Sequence, residues 1–209
     1  MGVETLYLET IDGVSIEADL IRTSHAPVRA TVIIGHPHPL YGGDRFNHVV
    51  QAMQRAAADA QCHSIAVDFR GVGNSGGQFD DGDSERLDLA AACELVELIE
   101  NDCPIIMTGY SFGSVVALNV NNPWIAGWIA IAPPVAMMKS VPLAASNPRP
   151  KILLAPEHDQ FTQPQQVHEF TAPWTNSSVI ELPQVDHAIA VGAYEACSDA
   201  LKKILSGIN

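Results

Sequence analysis

The stretch TGYSFGSVVAL, residues 108–118, decides how the chain is to be read. The residues leading into it, PIIMTGY (104–110), are apolar and strand-like, and those that follow Ser111, FGSVVALNV, are helix-competent and free of proline. A strand, a sharp turn and a helix therefore meet at one serine. Gly109 and Gly113 flank it, and without Cβ atoms they let strand and helix close on each other. G-x-S-x-G in this setting presents a serine hydroxyl at a helix N-terminus, where partial positive charge favours a developing anion. The pattern alone is weak, because Gly73-Asn74-Ser75-Gly76-Gly77 also fits it. There FRGVGN precedes and GGQFDDGD follows, which is loop on both sides. Ser75 reads as a turn residue, and Ser111 is the candidate nucleophile.

Working outward from this strand, the same alternation recurs. Two strand-like runs around 5–11 and 14–22 flank Asp12-Gly13, a hairpin signal. ATVIIGHPHP contains a buried strand. Phe46, Val49, Val50, Met53, Ala57 and Ala60 recur at helical spacing over 44–60, with Asp44 as the expected N-cap. Strands are predicted at 64–69, 125–132, 151–156 and 178–183, and helices at 84–100, 112–121, 163–173 and about 189–206. A hairpin followed by repeated βα units predicts an α/β fold, a mostly parallel sheet of about eight strands with helices on both faces. No internal repeat or linker divides residues 1–209, so one domain is expected. The irregular stretch 133–150, PPVAMMKSVPLAASNPRP, is too short and too rich in proline for a large helical lid.

Bulk properties narrow the partners. The chain is 47% hydrophobic and 17% charged, which is globular composition. A net charge of −13 repels nucleic acid and anionic membrane surfaces alike. The N-terminus MGVETLYLET has neither the basic nor the apolar region of a signal peptide, and Leu6 breaks the myristoylation pattern at Gly2. Cys62, Cys93, Cys103 and Cys197 show no C-x-x-C spacing and read as reduced, buried thiols. A cytoplasmic chain is expected, with no nucleic acid or membrane partner. The oligomeric state is left open.

A nucleophilic serine needs a base, and the base an orienting acid. On such a sheet the chain order is serine, acid, histidine. His158, His168 and His187 are the histidines after Ser111. His187 follows the strand SVIELP and precedes the last helix, where the base belongs. His168 falls inside a predicted helix and reads as a surface residue. Glu157 and Asp159 both follow KILLAP; Asp159, deeper in the loop, is the first choice, and Glu157 the alternative. Asp186 is adjacent to His187, and neighbouring side chains diverge. The loop after the third strand, IIGHPHPLYGGD, is placed to supply an oxyanion donor. Pro37 and Pro39 have no N–H, so His38 is the expected donor, with Leu40 and Tyr41 as alternatives and Phe112 as the second donor. His36-x-His38 lacks a third ligand at metal spacing, so no metal is expected. Asp68 and Arg70 are expected to hold the 68–77 turn by charge-assisted hydrogen bonds.

HPHPLYGG, FRGVGNSGGQFD, GYSFGS and the HD…DH tail together resemble the small α/β-hydrolases of the dienelactone-hydrolase-like kind, over about residues 5–205. The resemblance implies the α/β-hydrolase fold and a serine hydrolase with Ser111, Asp159 and His187 in the triad positions. It implies no cofactor. Dienelactone hydrolase proper uses a cysteine nucleophile, so Ser111 argues against that reaction. The loop reads APEHD where relatives often carry a glycine. The expected function is cleavage of a small carboxylic ester or thioester. Tyr41, Tyr110, Met137 and Met138 are the candidate substrate-binding residues. The rival readings are a non-catalytic ligand-binding protein on the same fold and an amidase or acyltransferase with the same triad.

Overall fold

The computed structural model describes residues 2–100 and 102–208. The chain runs β1 (Val3–Glu9), β2 (Ser15–Ile21), β3 (Thr31–Gly35), α1 (His48–Asp59), β4 (His63–Val67), α2 (Glu85–Ile99), β5 (Ile105–Tyr110), α3 (Phe112–Leu118), β6 (Ile125–Ile131), β7 (Lys151–His158), α4 (Pro164–Thr171), β8 (Ser177–Asp186) and α5 (Ala193–Leu205). The strands form one sheet in the order β1-β2-β4-β3-β5-β6-β7-β8. β2 is antiparallel to both its neighbours, and all later pairs are parallel. β3, β4 and β5 are buried along their whole length, as expected of parallel strands covered on both faces. One core lies between the sheet and α2 and α3, with Leu89, Val96, Val116 and Trp128 in it. The other is closed by α1 and α5 through Val50, Met53, Leu201 and Ile204.

Two boundaries differ from the sequence expectation in ways that matter. Residues 44–47 are not helical: Pro39–Tyr41 forms a short 3-10 turn and α1 begins only at His48. Asn47 caps it, accepting from Val49 N–H at 3.0 Å, while Asp44 accepts from Phe46 N–H in the preceding loop. The cause is Arg45. Its backbone N–H reaches Asp68 Oδ1 at 2.7 Å, and its guanidinium is drawn inward to Glu17, Asp19 and Asp68. Leaving that buried ion cluster to extend the helix would strand three carboxylates without their cation.

β7 and β8 are also longer than predicted. Pro156 pairs with Leu182, but His158 pairs with Asp186. β8 thus takes up two extra residues in a bulge, where Gln184 has φ of 58° and donates its N–H to Glu157 Oε2 at 2.7 Å. The bulge has a direct consequence: the next residues on each strand, Asp159 and His187, leave the sheet side by side.

Candidate active site

Parallel strands deliver their following loops to one edge. Gly35 pairs with Gly109, Tyr110 with Ile131 and Ile131 with Leu154. The loops after β3, β5, β6, β7 and β8 therefore converge at the carboxyl ends.

At the end of β5, Ser111 has φ 53° and ψ −120°, a conformation that costs a non-glycine residue about 1–3 kcal/mol and persists only where its surroundings over-determine it. They do so here. A Cβ on Gly109 would lie 2.1 Å from Gly113 O, and one on Gly113 would lie 2.4 Å from Gly35 O. Both flanking glycines are thus required by backbone contact. Ser111 N–H donates to Ile131 O at 2.8 Å, and Ser114 N–H and Oγ–H donate back to Ser111 O.

His187 Nε2 lies 2.9 Å from Ser111 Oγ, and its Nδ1 lies 2.7 Å from Asp159 Oδ2. A carboxylate only accepts, so Nδ1 carries the proton, Nε2 is free, and Ser111 donates to it. Asp159 and His187 are 1% and 8% exposed. Asp159 Oδ1 also accepts from Phe161 N–H and Thr162 N–H, which fixes its carboxylate plane. Glu157 stands apart, turned to the β8 bulge. His168 lies in α4 and pairs with Glu181 at the surface.

The loop after β3 is held rigidly. His36 is fully buried and accepts from Phe69 N–H at 3.0 Å through Nε2, so its Nδ1–H donates to Pro37 O at 2.6 Å. Burial pushes this imidazole down to about 4, so it stays neutral. Leu40 N–H is taken by His38 Nδ1, Tyr41 N–H by His38 O and Gly42 N–H by Pro39 O. That removes the alternative donors. Among the described residues no acceptor takes the N–H of His38 or of Phe112, and the two side-chain rings lie 5.0 Å apart.

A cavity of about 390 Å³ opens beside Ser111, within the usual range for small-molecule sites. Tyr41, Met137 and Met138 line it. Tyr110 does not. Strand alternation turns its side chain into the core under α1 and α5, where its hydroxyl donates to His187 O at 2.7 Å. Phe161, Leu143, Val115 and Asn119 also line the cavity and were not foreseen. Val115 and Asn119 were within reach of the sequence, since they stand four and eight residues after Ser111 on one helical face. Phe161 and Leu143 were not, because irregular segments carry no periodicity. Lys139 pairs with Asp81 at 2.7 Å on the rim.

The second G-x-S-x-G serine has a structural role. Ser75 Oγ donates to Asp68 O and accepts from Glu17 N–H. Asp68 and Arg70 do hold this turn, but with different partners. Asp68 binds Arg45, and Arg70 binds Asp88 and Asp12.

A strained serine at a strand-to-helix elbow thus stands in line with a histidine and a buried carboxylate at the carboxyl edge of this sheet. Residues 32–148 match the alpha/beta hydrolase family, and the chain belongs to it. It is 30% identical over 173 residues to an uncharacterised protein of Rickettsia prowazekii, covering 80% of this chain and 72% of that one. Its fold matches an alpha-beta serine hydrolase homologue from Coxiella burnetii, with TM-score 0.85 and 24% identity over 100% of this chain and 99% of that one. It also matches an esterase of Pyrococcus furiosus, with TM-score 0.83 and 20% identity over 99% and 91% of the two chains. No helix among the described residues is long and apolar enough to cross a membrane.

Proposed function

We propose that this protein is a serine esterase that cleaves small carboxylic esters or thioesters through an acyl-enzyme. The observation that carries the reading is the unbroken line Asp159–His187–Ser111, with bonds of 2.7 and 2.9 Å, at the wall of an apolar cavity. Ser111 Oγ attacks the ester carbonyl as its proton passes to His187 Nε2. Asp159 holds the tautomer and stabilises the imidazolium. The N–H groups of Phe112 and His38 receive the oxyanion as it forms. The imidazolium then protonates the departing alcohol or thiol. Water, deprotonated by His187, releases the acid and restores Ser111. The solved structures similar to this chain include one named a serine hydrolase homologue and one named an esterase, which supports the same chemistry here.

The test is labelling with a fluorophosphonate combined with p-nitrophenyl acetate turnover. Wild type should label at Ser111. Ser111→Ala should lose the label and on the order of 10⁵–10⁶ in kcat, and Ser75→Ala should keep most activity. A folded Ser111→Ala protein with wild-type turnover would refute the proposal. Absence of both label and turnover in the wild type would favour a ligand-binding role instead.

A further inference from the structure

Tyr110 is the residue before Ser111, and its side chain turns away from the cavity. It is buried among residues packed under α1 and α5, yet its hydroxyl returns to the site from behind and donates to the carbonyl of His187 at 2.7 Å. Its ring also stacks on the His187 imidazole, with centroids 5.6 Å apart and planes 30° from parallel. Phe161 meets the imidazole edge-on, at 4.6 Å. One residue further on, the carbonyl of Ala188 faces His48 Nε2 at 2.9 Å. A carbonyl only accepts, so His48 donates. The loop is closed by Asp186, whose carboxylate takes Ala188 N–H and whose carbonyl takes Ile189 N–H. Ile189 sits in the left-handed region at φ 48°. Two consecutive carbonyls of the base loop are thus held by side chains from two other elements, β5 and α1.

The geometry points to Tyr110 as a positioning residue, which holds the main chain of His187 so that Nε2 stays in line with Ser111 Oγ through acyl transfer. This inference rests on the esterase reading. Tyr110 touches no substrate and acts through the base. It is covalently joined to the nucleophile and hydrogen-bonded to the base, so a single residue sets the distance between them. That distance is what the chemistry depends on, since displacement of a reacting group by about 1 Å can cost about 10²-fold. Burial, with Asp159 and Asp186 nearby, pushes the phenol up to about 12, so it remains a donor throughout the neutral range. His48 is exposed, and solvent can replace its bond; Tyr110 has no such substitute.

The test compares Tyr110→Phe, His48→Ala and Thr108→Val in the full chain. Thr108 supplies the control: it lies on the same strand, and its loss removes a buried hydrogen bond to Ile33 O without touching the base loop. Each variant is measured for Tm, for kcat and KM on p-nitrophenyl butyrate, and for the downfield proton resonance of the His187 Nδ1–H bond to Asp159. Tyr110→Phe should lower kcat by about 10–100-fold, leave KM within about twofold, and broaden or shift that resonance. Thr108→Val at a similar loss of Tm should leave both readouts unchanged. His48→Ala should show the same pattern more weakly. A wild-type resonance and kcat in folded Tyr110→Phe overturn the inference, as does an equal effect in Thr108→Val. If Tyr110→Phe does not fold, 3-fluorotyrosine placed at position 110, which changes the strength of the phenol's bond to His187 O, is measured instead, and an unperturbed resonance there overturns the inference. The resonance reads the clamp even in a protein that turns over no ester and takes no fluorophosphonate, an outcome that would count against the esterase reading alone.

Discussion

At Ser111 the backbone is held at φ 53° by contacts that no side chain at 109 or 113 would permit. The strain aims Oγ at His187, and the acid completes the line. Asp159 was separated from Glu157 by tertiary geometry: its Oδ2 meets Nδ1, whereas Glu157 anchors the β8 bulge through Gln184 N–H. The expected consequence is asymmetric. Asp159→Asn presents an amide that favours the wrong imidazole tautomer and should lower kcat by about 10⁴. Glu157→Gln still offers an oxygen to Gln184 and should stay within a few-fold of wild type. Steady-state kinetics on the two folded variants checks this, and the opposite ranking would move the acid to Glu157.

At the scale of elements, the segment between β6 and β7 sets what the cavity can hold. It carries only two 3-10 turns, Val135–Met137 and Leu143–Ser146. Val135 is buried in the core, so Met137, Met138 and Leu143 form the apolar wall on this side. Their segment is tied down at its far end by the buried Lys151, whose Nζ donates to the carbonyls of Ala144 and Asn147. A wall of this kind bounds about 390 Å³ beside Ser111, room for a short acyl chain. Each acyl CH₂ left in water forgoes roughly 0.8 kcal/mol. With p-nitrophenyl esters of increasing length, kcat/KM should therefore peak at roughly C2–C6 and decline well before C12. A rise continuing to C12 would mean that the wall opens into a deeper apolar channel.

For the whole molecule, protonation of a single buried group ties the site loop to global stability. His36 holds the 36–43 loop to the segment that follows β4 through Phe69 N–H, and burial sets its folded-state value near 4 against an ordinary 6.5. The folded value is the lower one, so the unfolded chain takes up the proton first as pH falls. The contribution is intact above about pH 6.5, erodes below it and is exhausted near pH 4. Between pH 7 and 4.5 this group alone should remove about 2–3 kcal/mol of unfolding free energy. Urea titrations across that window check it, with His36→Gln expected to give a curve flatter by that amount. Parallel pH curves for the two proteins would show that His36 is not the group responsible.

Much of this architecture was legible before any coordinates. Apolar runs such as TVIIG and PIIMTGY can be satisfied only by burial on both faces, and their alternation with amphipathic segments leaves a mostly parallel sheet as the solution. That sheet places every following loop at one edge, so chain order points to the loops that carry Ser111, the Glu157/Asp159 pair and His187, with the loop of His38 beside them. Local chemistry could also tell Ser111 from Ser75, because one follows a strand and the other a loop. What the sequence could not carry was anything decided by a partner distant along the chain. The start of α1 was set by Arg45 seeking Glu17, Asp19 and Asp68, and not by helical periodicity. The pairing of Asp159 with His187 depended on a bulge that slips β8 by two residues against β7. Tyr110 reads as a wall of the cavity if only its neighbour Ser111 is considered. Strand alternation sends it to the opposite face, and only the folded chain brings the carbonyl of His187 there to meet it.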